Sequence, residues 1–205
     1  MRLTSNSPIV LLLAIAAVSS LPAVSLAQAA PTQQDVPRPE LALGYSYVHS
    51  NVPPGGCGCF SLNGGSATFA WPLGSGRFAL AGDIDVVHAG AASSTSDSLT
   101  LSTYTAGGRF LPLLGNSAWQ PFGQVLIGLA HSSGTLVQGQ NPGSANAGAA
   151  FAANIGGGLD LRTSSRFSFR LVEADYLLTT FDNGSNNHQN NFRIGAGVVF
   201  RLGNR

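Results

Sequence analysis

Three groups of residues in this sequence have the means to do chemistry. The first is a set of charges set inside otherwise apolar stretches: Asp83, Asp85, Arg109, Asp160, Arg162, Arg170, Glu173, Asp175, Arg193 and Arg201. Such a set can form an ion path, an acid–base pair or a structural network. A buried charge without a partner is expensive, and removing one partner strands the other, so a structural network is the expectation. The second group is the histidines, His49, His88, His131 and His188. With cysteine, histidine is a good metal ligand. But His49 and His88 share the alternation of their apolar neighbours and so point away from each other, and no metal site is expected. The third group is Cys57-Gly58-Cys59. A pair one residue apart closes a strained, easily reduced disulfide. The alternatives are a local oxidised clip, a pair of bystanders, or a redox or metal motif. No spacing singles out a nucleophile, base and acid. Gly156-Gly157-Gly158 follows a strand-like run and opens no helix, so it is not a phosphate loop. Neither catalytic nor cofactor-binding residues are expected.

The elements that must position these charges are best seen at 190–203. Phe192, Ile194, Ala196, Val198, Phe200 and Leu202 form one apolar face. Asn191, Arg193, Gly195, Gly197, Val199 and Arg201 form the other, mostly polar or small. That is the period-two pattern of a strand with two unlike faces. Composition bears on which face points where. Charged residues make up 9% of the chain, against about 25% in a typical soluble domain. All ten basic residues are arginine, the cation suited to bidentate pairing in partly dry places. The net charge of +1 gives no sign of a nucleic-acid partner.

Residues 1–29 read as a signal peptide. Arg2 supplies the positive region, and Ile9 to Val18 forms an apolar run too short to span a bilayer. Small-residue patterns place cleavage after Ala27 or Ala29. Residues 30–39 are polar and proline-rich, a flexible lead. From Glu40 the chain divides into eight strand-like segments at 40–50, 58–72, 77–89, 98–111, 119–132, 149–162, 166–180 and 190–203. Of the seven connections, 51–57, 90–97, 133–148 and 181–189 are read as the longer set, while 73–76, 112–118 and 163–165 are the alternate set, with tight turns at 73–76 and 163–165. Even strand number with short turns at one end and long loops at the other is the pattern of a transmembrane barrel. Tyr45, Tyr47, Phe60, Phe151, Tyr176 and Phe181 fall toward the long-loop end. Trp71, Phe110, Trp119, Phe167 and Phe200 fall toward the other, as two interfacial girdles. In the seventh segment Glu173 and Asp175 continue the parity of Phe167, Phe169 and Leu171. A bulge near Val172 would return the acids to the lumen and put Tyr176 and Leu178 outside. The second and fourth segments lose phase midway.

Three stretches carry a resemblance. They are Ile155-Gly156-Gly157-Gly158-Leu159-Asp160-Leu161-Arg162, Arg170-Leu171-Val172-Glu173-Ala174-Asp175-Tyr176-Leu177, and Asn191 through Phe200. In that order they resemble the small bacterial outer-membrane β-barrel family, which includes OmpA-like, OmpX-like and opacity-type eight-stranded barrels. The resemblance spans 40–203 and implies an all-β, eight-stranded antiparallel up-and-down barrel in the outer membrane. It also implies that Arg193, Gly195, Val198 and Phe200 form the assembly signal such barrels present. This chain continues five residues past Phe200, where many members stop. The partners implied are outer-membrane lipid and, during biogenesis, periplasmic chaperones and the barrel assembly machinery. A non-enzymatic structural or surface-exposed role is expected. The alternatives are an adhesin or opacity-type binding protein acting through 133–148, a small pore, and a soluble ligand-carrying barrel. Eight strands leave little open lumen, which disfavours the pore. The low charge disfavours the soluble carrier.

Overall fold

The computed structural model describes residues 37–50, 60–90, 98–112, 117–134, 149–181 and 188–203. The expected signal peptide, Cys57, Cys59 and most of the 133–148 connection lie outside the described residues. Eight antiparallel strands close into one barrel in sequence order. They are β1 (Glu40–Ser50), β2 (Phe60–Leu73), β3 (Phe78–Ala89), β4 (Leu99–Phe110), β5 (Trp119–Ser133), β6 (Ala149–Arg162), β7 (Phe167–Thr179) and β8 (Gln189–Arg201). Strands of 11 to 15 residues exceed the roughly 9–11 that a tilted strand needs to cross a hydrocarbon layer.

Closure is made by β1 and β8, which pair from Glu40↔Arg201 to His49↔Phe192. A path of directly paired residues runs Glu40, Ala70, Ala81, Gly107, Leu126, Asn154, Leu177, Asn191. Asn191 lies beside Ser50, whose hydroxyl donates to its side-chain oxygen at 2.5 Å. The circuit thus climbs ten residues along β1, from Glu40 to Ser50. Eight strands with this stagger tilt steeply and leave an interior that side chains can fill.

Outward positions are apolar except near the long-loop end. Leu80 and Ile127 are each 59% exposed and Leu129 56%, values that only a non-aqueous surround makes favourable over so continuous a belt. Every Asp, Glu and Arg within the eight strands takes the inward parity. The short-turn end carries exposed Trp71, Phe78, Phe110, Trp119 and Phe167, with Phe78 against Phe110 and Phe167 against Phe200, both at 5.3 Å between ring centres. Phe60 and Phe181 depart from the expected girdle. They are half-buried, and both pack against an apolar cluster inside the barrel.

That cluster also accounts for the phase apparently lost in the second and fourth segments. Leu62 and Leu101 are apolar yet point inward, because Val48, Leu62, Val87, Leu101, Ala130 and Leu177 form an apolar plug across the lumen at the long-loop end. Alternation in β2 and β4 is in fact unbroken. In β7 a register shift lies between Arg170 and Glu173. Leu171 and Val172 are both exposed there, while Glu173 and Asp175 return to the lumen and Tyr176 faces out.

Two glycines of β6 are required by what lies opposite. A Cβ on Gly156 would stand 2.2 Å from Asp175 Oδ1, and one on Gly158 would stand 2.7 Å from the Phe122 ring and 2.4 Å from the Val172 carbonyl oxygen. Gly108 has nothing within 4 Å of its Cβ position. Gly158→Val should therefore destabilise the folded barrel by about 1–3 kcal/mol through overpacking, while Gly108→Ala leaves it nearly unchanged. Thermal unfolding in detergent, read by gel mobility, checks this; equal transition temperatures for the two variants would contradict it.

Candidate functional site: the lumenal charge network

The stagger and the alternation bring eight of the sequence-predicted charges into one buried cluster. Asp83, Asp85, Arg109, Asp160, Arg170, Glu173, Asp175 and Arg193 are each at most 5% exposed. They come from β3, β4, β6, β7 and β8, so the cluster exists only when the barrel is closed.

Arg193 is the hub. Its Nη1 donates to Asp83 Oδ1 at 2.7 Å and to Asp85 Oδ2 at 3.0 Å. Its Nη2 donates to Glu173 Oε1 at 2.8 Å and Asp175 Oδ2 at 2.7 Å, and its Nε to the same Asp175 oxygen at 3.0 Å. A guanidinium has five N–H donors in a fixed fork, and here all five are used on four carboxylates. Hydroxyls add to two of those acids: Thr68 donates to Asp83 at 2.8 Å and Ser46 to Asp85 Oδ2 at 2.6 Å, while Asp85 Oδ1 is buried without a hydrogen-bond partner.

Arg170 forms the second node. It grips Asp160 through Nε at 2.9 Å and Nη2 at 3.2 Å, and reaches Glu173 Oε2 through Nη1 at 2.6 Å. Glu173 thereby joins the two arginines. Arg109 behaves differently from the expectation that each inward arginine meets a carboxylate. Its Nε and Nη2 both donate to Gln124 Oε1, at 3.2 and 2.7 Å. Gln124 passes the polarisation on, donating through Nε2 to Glu173 at 2.8 Å and Asp175 at 3.3 Å. The guanidinium carbons of Arg109 and Arg170 lie 4.3 and 4.4 Å from the centre of the Phe122 ring. A ring face attracts a desolvated cation by up to about 2 kcal/mol. Gln124 and Phe122 are the residues that sequence reasoning missed. The only signal in the sequence is that both share the inward parity of β5.

The remaining two candidates are not in the cluster. Arg162 and Arg201 are half-buried at the short-turn mouth. Arg201 donates to Glu40 at 3.1 Å, Gln120 at 2.5 Å and Ser168 at 2.8 Å. The mouth holds a cavity of about 170 Å3 lined in part by Glu40, Gln120, Arg162 and Arg201. Alongside the central cluster the cavity lined by Ser46, Thr68, Arg170 and Arg193 measures only about 10 Å3, at the lower limit for one water.

Among the described residues no group of three His, Cys, Asp or Glu side chains is placed to hold a metal ion. His49, His88 and His131 are exposed on the outward face. Of the residues read as an assembly signal, Arg193 and Gly195 face the lumen, and Val198 and Phe200 lie on the outward side of β8, both half-buried.

The network has a clear energetic consequence. Arg193→Gln leaves the buried Asp83, Asp85 and Asp175 without a guanidinium and Glu173 with Arg170 alone, and should cost about 3–5 kcal/mol. Arg201→Gln, at the wetter mouth, should cost well under half of that. The Arg193→Gln deficit should narrow as the pH falls, because the stranded acids neutralise by taking up protons. Denaturant titrations of detergent-refolded protein across pH measure both effects; equal losses, or a deficit that widens in acid, would refute the hub role.

No protein-family model matches the chain, and no curated protein matches it in sequence. Solved structures do resemble it. Neisserial surface protein A (NspA) aligns with a TM-score of 0.61 at 12% identity, over 80% of this chain and 97% of that one. The Yersinia pestis outer membrane protein Ail, in a phospholipid bilayer nanodisc, gives 0.48 at 16% identity, over 82% and 100% of the two chains. The outer membrane enzyme PagL gives 0.46 at 18% identity, over 78% and 100%. At 12% identity the likeness to NspA is one of fold, and it agrees with the closed eight-stranded topology. The chain shares with that surface protein the fold of a closed eight-stranded antiparallel β-barrel.

Proposed function

We propose that the protein is a non-enzymatic, structural and surface-exposed component of the bacterial outer membrane. One observation carries this reading: the eight central charges are held in one hydrogen-bonded network inside a filled lumen. The apolar plug formed by Val48, Leu62, Val87 and Leu101 lies between that network and the long-loop end. The space beside Arg193 holds at most about one water. Neither favours conduction. Catalysis on the outward wall would need a carboxylate or other group to orient a histidine. Among the described strand residues no carboxylate faces outward beside His49, His88 or His131.

Lipid is the proposed partner of the mature barrel, and periplasmic chaperones and the assembly machinery are its proposed partners during biogenesis. The carrier of the last interaction is β8, with Arg193, Gly195, Val198 and Phe200 in the order that such machinery reads in similar barrels.

Fractionation should place the protein in the outer membrane with heat-modifiable gel migration, and surface proteolysis should cut within 135–148. Purified protein in planar bilayers should give no discrete conductance. Recovery from the soluble periplasm would overturn the membrane assignment, and regular channel steps would replace the structural role with a pore. Phe200→Ser should lower the amount of assembled barrel in cells several-fold while the purified variant still refolds in detergent. A parallel loss in both settings would assign Phe200 to stability, through its contact with Phe167, and not to recognition.

A further inference from the structure

The outward wall of the barrel contains no Asp, Glu, Lys or Arg among its described strand residues, yet it contains three histidines. They are placed with regularity. His49 is on β1, His88 on β3 and His131 on β5, each near the long-loop end of an upward strand. Each faces a hydroxyl residue on the neighbouring even strand: His49↔Ser61, His88↔Thr100 and His131↔Ser102.

The register also puts them at one height. Because a circuit climbs ten residues over eight strands, staying level means stepping down a little more than one residue per strand. His88 faces Asn63, two residues below Ser61, the partner of His49. His131 faces Ser102, two residues below Thr100, the partner of His88. Each move of two strands therefore drops two residues, and the three imidazoles form a level belt over half the circumference. Tyr47 lies two residues below His49 on the same face, at the upper edge of the apolar band.

Two of the rings are held. His88 Nδ1 lies 2.9 Å from Thr100 Oγ1 and His49 Nδ1 lies 3.4 Å from Ser61 Oγ. The hydroxyl contact uses Nδ1, and both histidines are exposed on the outward face. Alternate strands stand roughly 10 Å apart, too far for the three to share one ion, and suited to meeting separate molecules in a surrounding layer.

We propose that this belt binds the phosphate groups of lipid headgroups at the long-loop interface, and does so more strongly as the pH falls. Imidazole gains its positive charge between about pH 8 and pH 5. A cation at a membrane surface attracts anionic headgroups, and it does so most where no other charge competes. The groups facing the belt from β1, β2, β4, β6 and β8 are Tyr47, Ser61, Asn63, Thr100, Ser102, Ala149 and Phe192. None is a carboxylate or a guanidinium. Among the described strand residues nothing that faces the belt neutralises the imidazolium, and nothing else on the outward wall supplies a cation.

The test uses the full barrel reconstituted in phosphatidylcholine vesicles carrying spin-labelled phosphatidylglycerol, whose phosphate keeps its charge across the range. The ratio of motionally restricted phosphatidylglycerol to restricted phosphatidylcholine is measured at pH 8 and pH 5.5. It should rise at least about twofold on acidification. The H49Q/H88Q/H131Q variant, checked for folding by heat-modifiable migration, should show a flat ratio. A flat ratio in the wild-type barrel, or the same rise in the variant, would overturn the proposal. Loss of the rise on adding inorganic phosphate would also overturn it, by showing a soluble-anion site in place of a lipid one. If only H49Q or only H88Q is needed to flatten the ratio, the belt is replaced by a single site.

Discussion

The constraint on which everything else rests is that a backbone in lipid must find all its hydrogen-bond partners within the chain. Only closure satisfies this for strands, so β1 and β8 must meet although 152 residues and six strands separate Gly44 from its partner Gly197. Closing eight strands with a climb of ten residues fixes the radius of the lumen, and that radius fixes what can fill it. Side chains from opposite walls reach each other. An arginine on β8 can therefore touch aspartates on β3, as Arg193 does with Asp83 and Asp85. In a wider barrel the same residues would line water.

Within that radius the electrostatics are concentrated. Five buried carboxylates and three buried guanidiniums occupy the centre. Desolvating them is costly, and the geometry offsets the cost by sharing: Glu173 serves Arg170 and Arg193, and Gln124 couples Arg109 to the same acids without a charge of its own. Phe122 adds an aromatic face to the two arginines that have fewer acids. Above this layer the lumen is apolar, and the plug seals the network from the long-loop side. Polar and apolar layers alternate along the axis inside the barrel, while the outside is a single apolar band with aromatic edges.

The fold was legible in the sequence because alternation writes it directly. Phe192 through Leu202 and Phe78 through Val86 show period two without interruption, and the loop lengths alternate as a membrane barrel requires. The bulge in β7 was legible for the same reason: Glu173 and Asp175 could not remain on the face of Phe167 without entering lipid. The charge network was legible as a list but not as a wiring diagram. Which arginine meets which acid depends on the stagger, a property of the whole circuit that no local pattern contains. Gln124 and Phe122 were missed because neither carries charge. Leu62 and Leu101 were misread because an apolar residue on an inward face mimics a lost phase when the lumen is assumed to be polar throughout.

The network also answers why the lumen is not apolar throughout, which would pack well and avoid the desolvation cost. Replacing a buried ion cluster with apolar side chains is often neutral or stabilising, so stability alone does not explain its presence. Register does. With both faces apolar, a one-residue slip of β8 against β1 would change little, since glycine and alanine recur along both strands. With Arg193 and Arg201 on one face, the same slip drives Arg193 into hydrocarbon, at roughly 2–4 kcal/mol near the midplane, and turns Arg201 outward at the interface for about 0–1 kcal/mol, and breaks every bond Arg193 makes. A side-chain period of two means that a slip inverts the whole strand. The charges therefore act as a selector among closures, and the one place where the chain departs from strict alternation, Leu171–Val172, is the place where two acids must be turned back toward that selector.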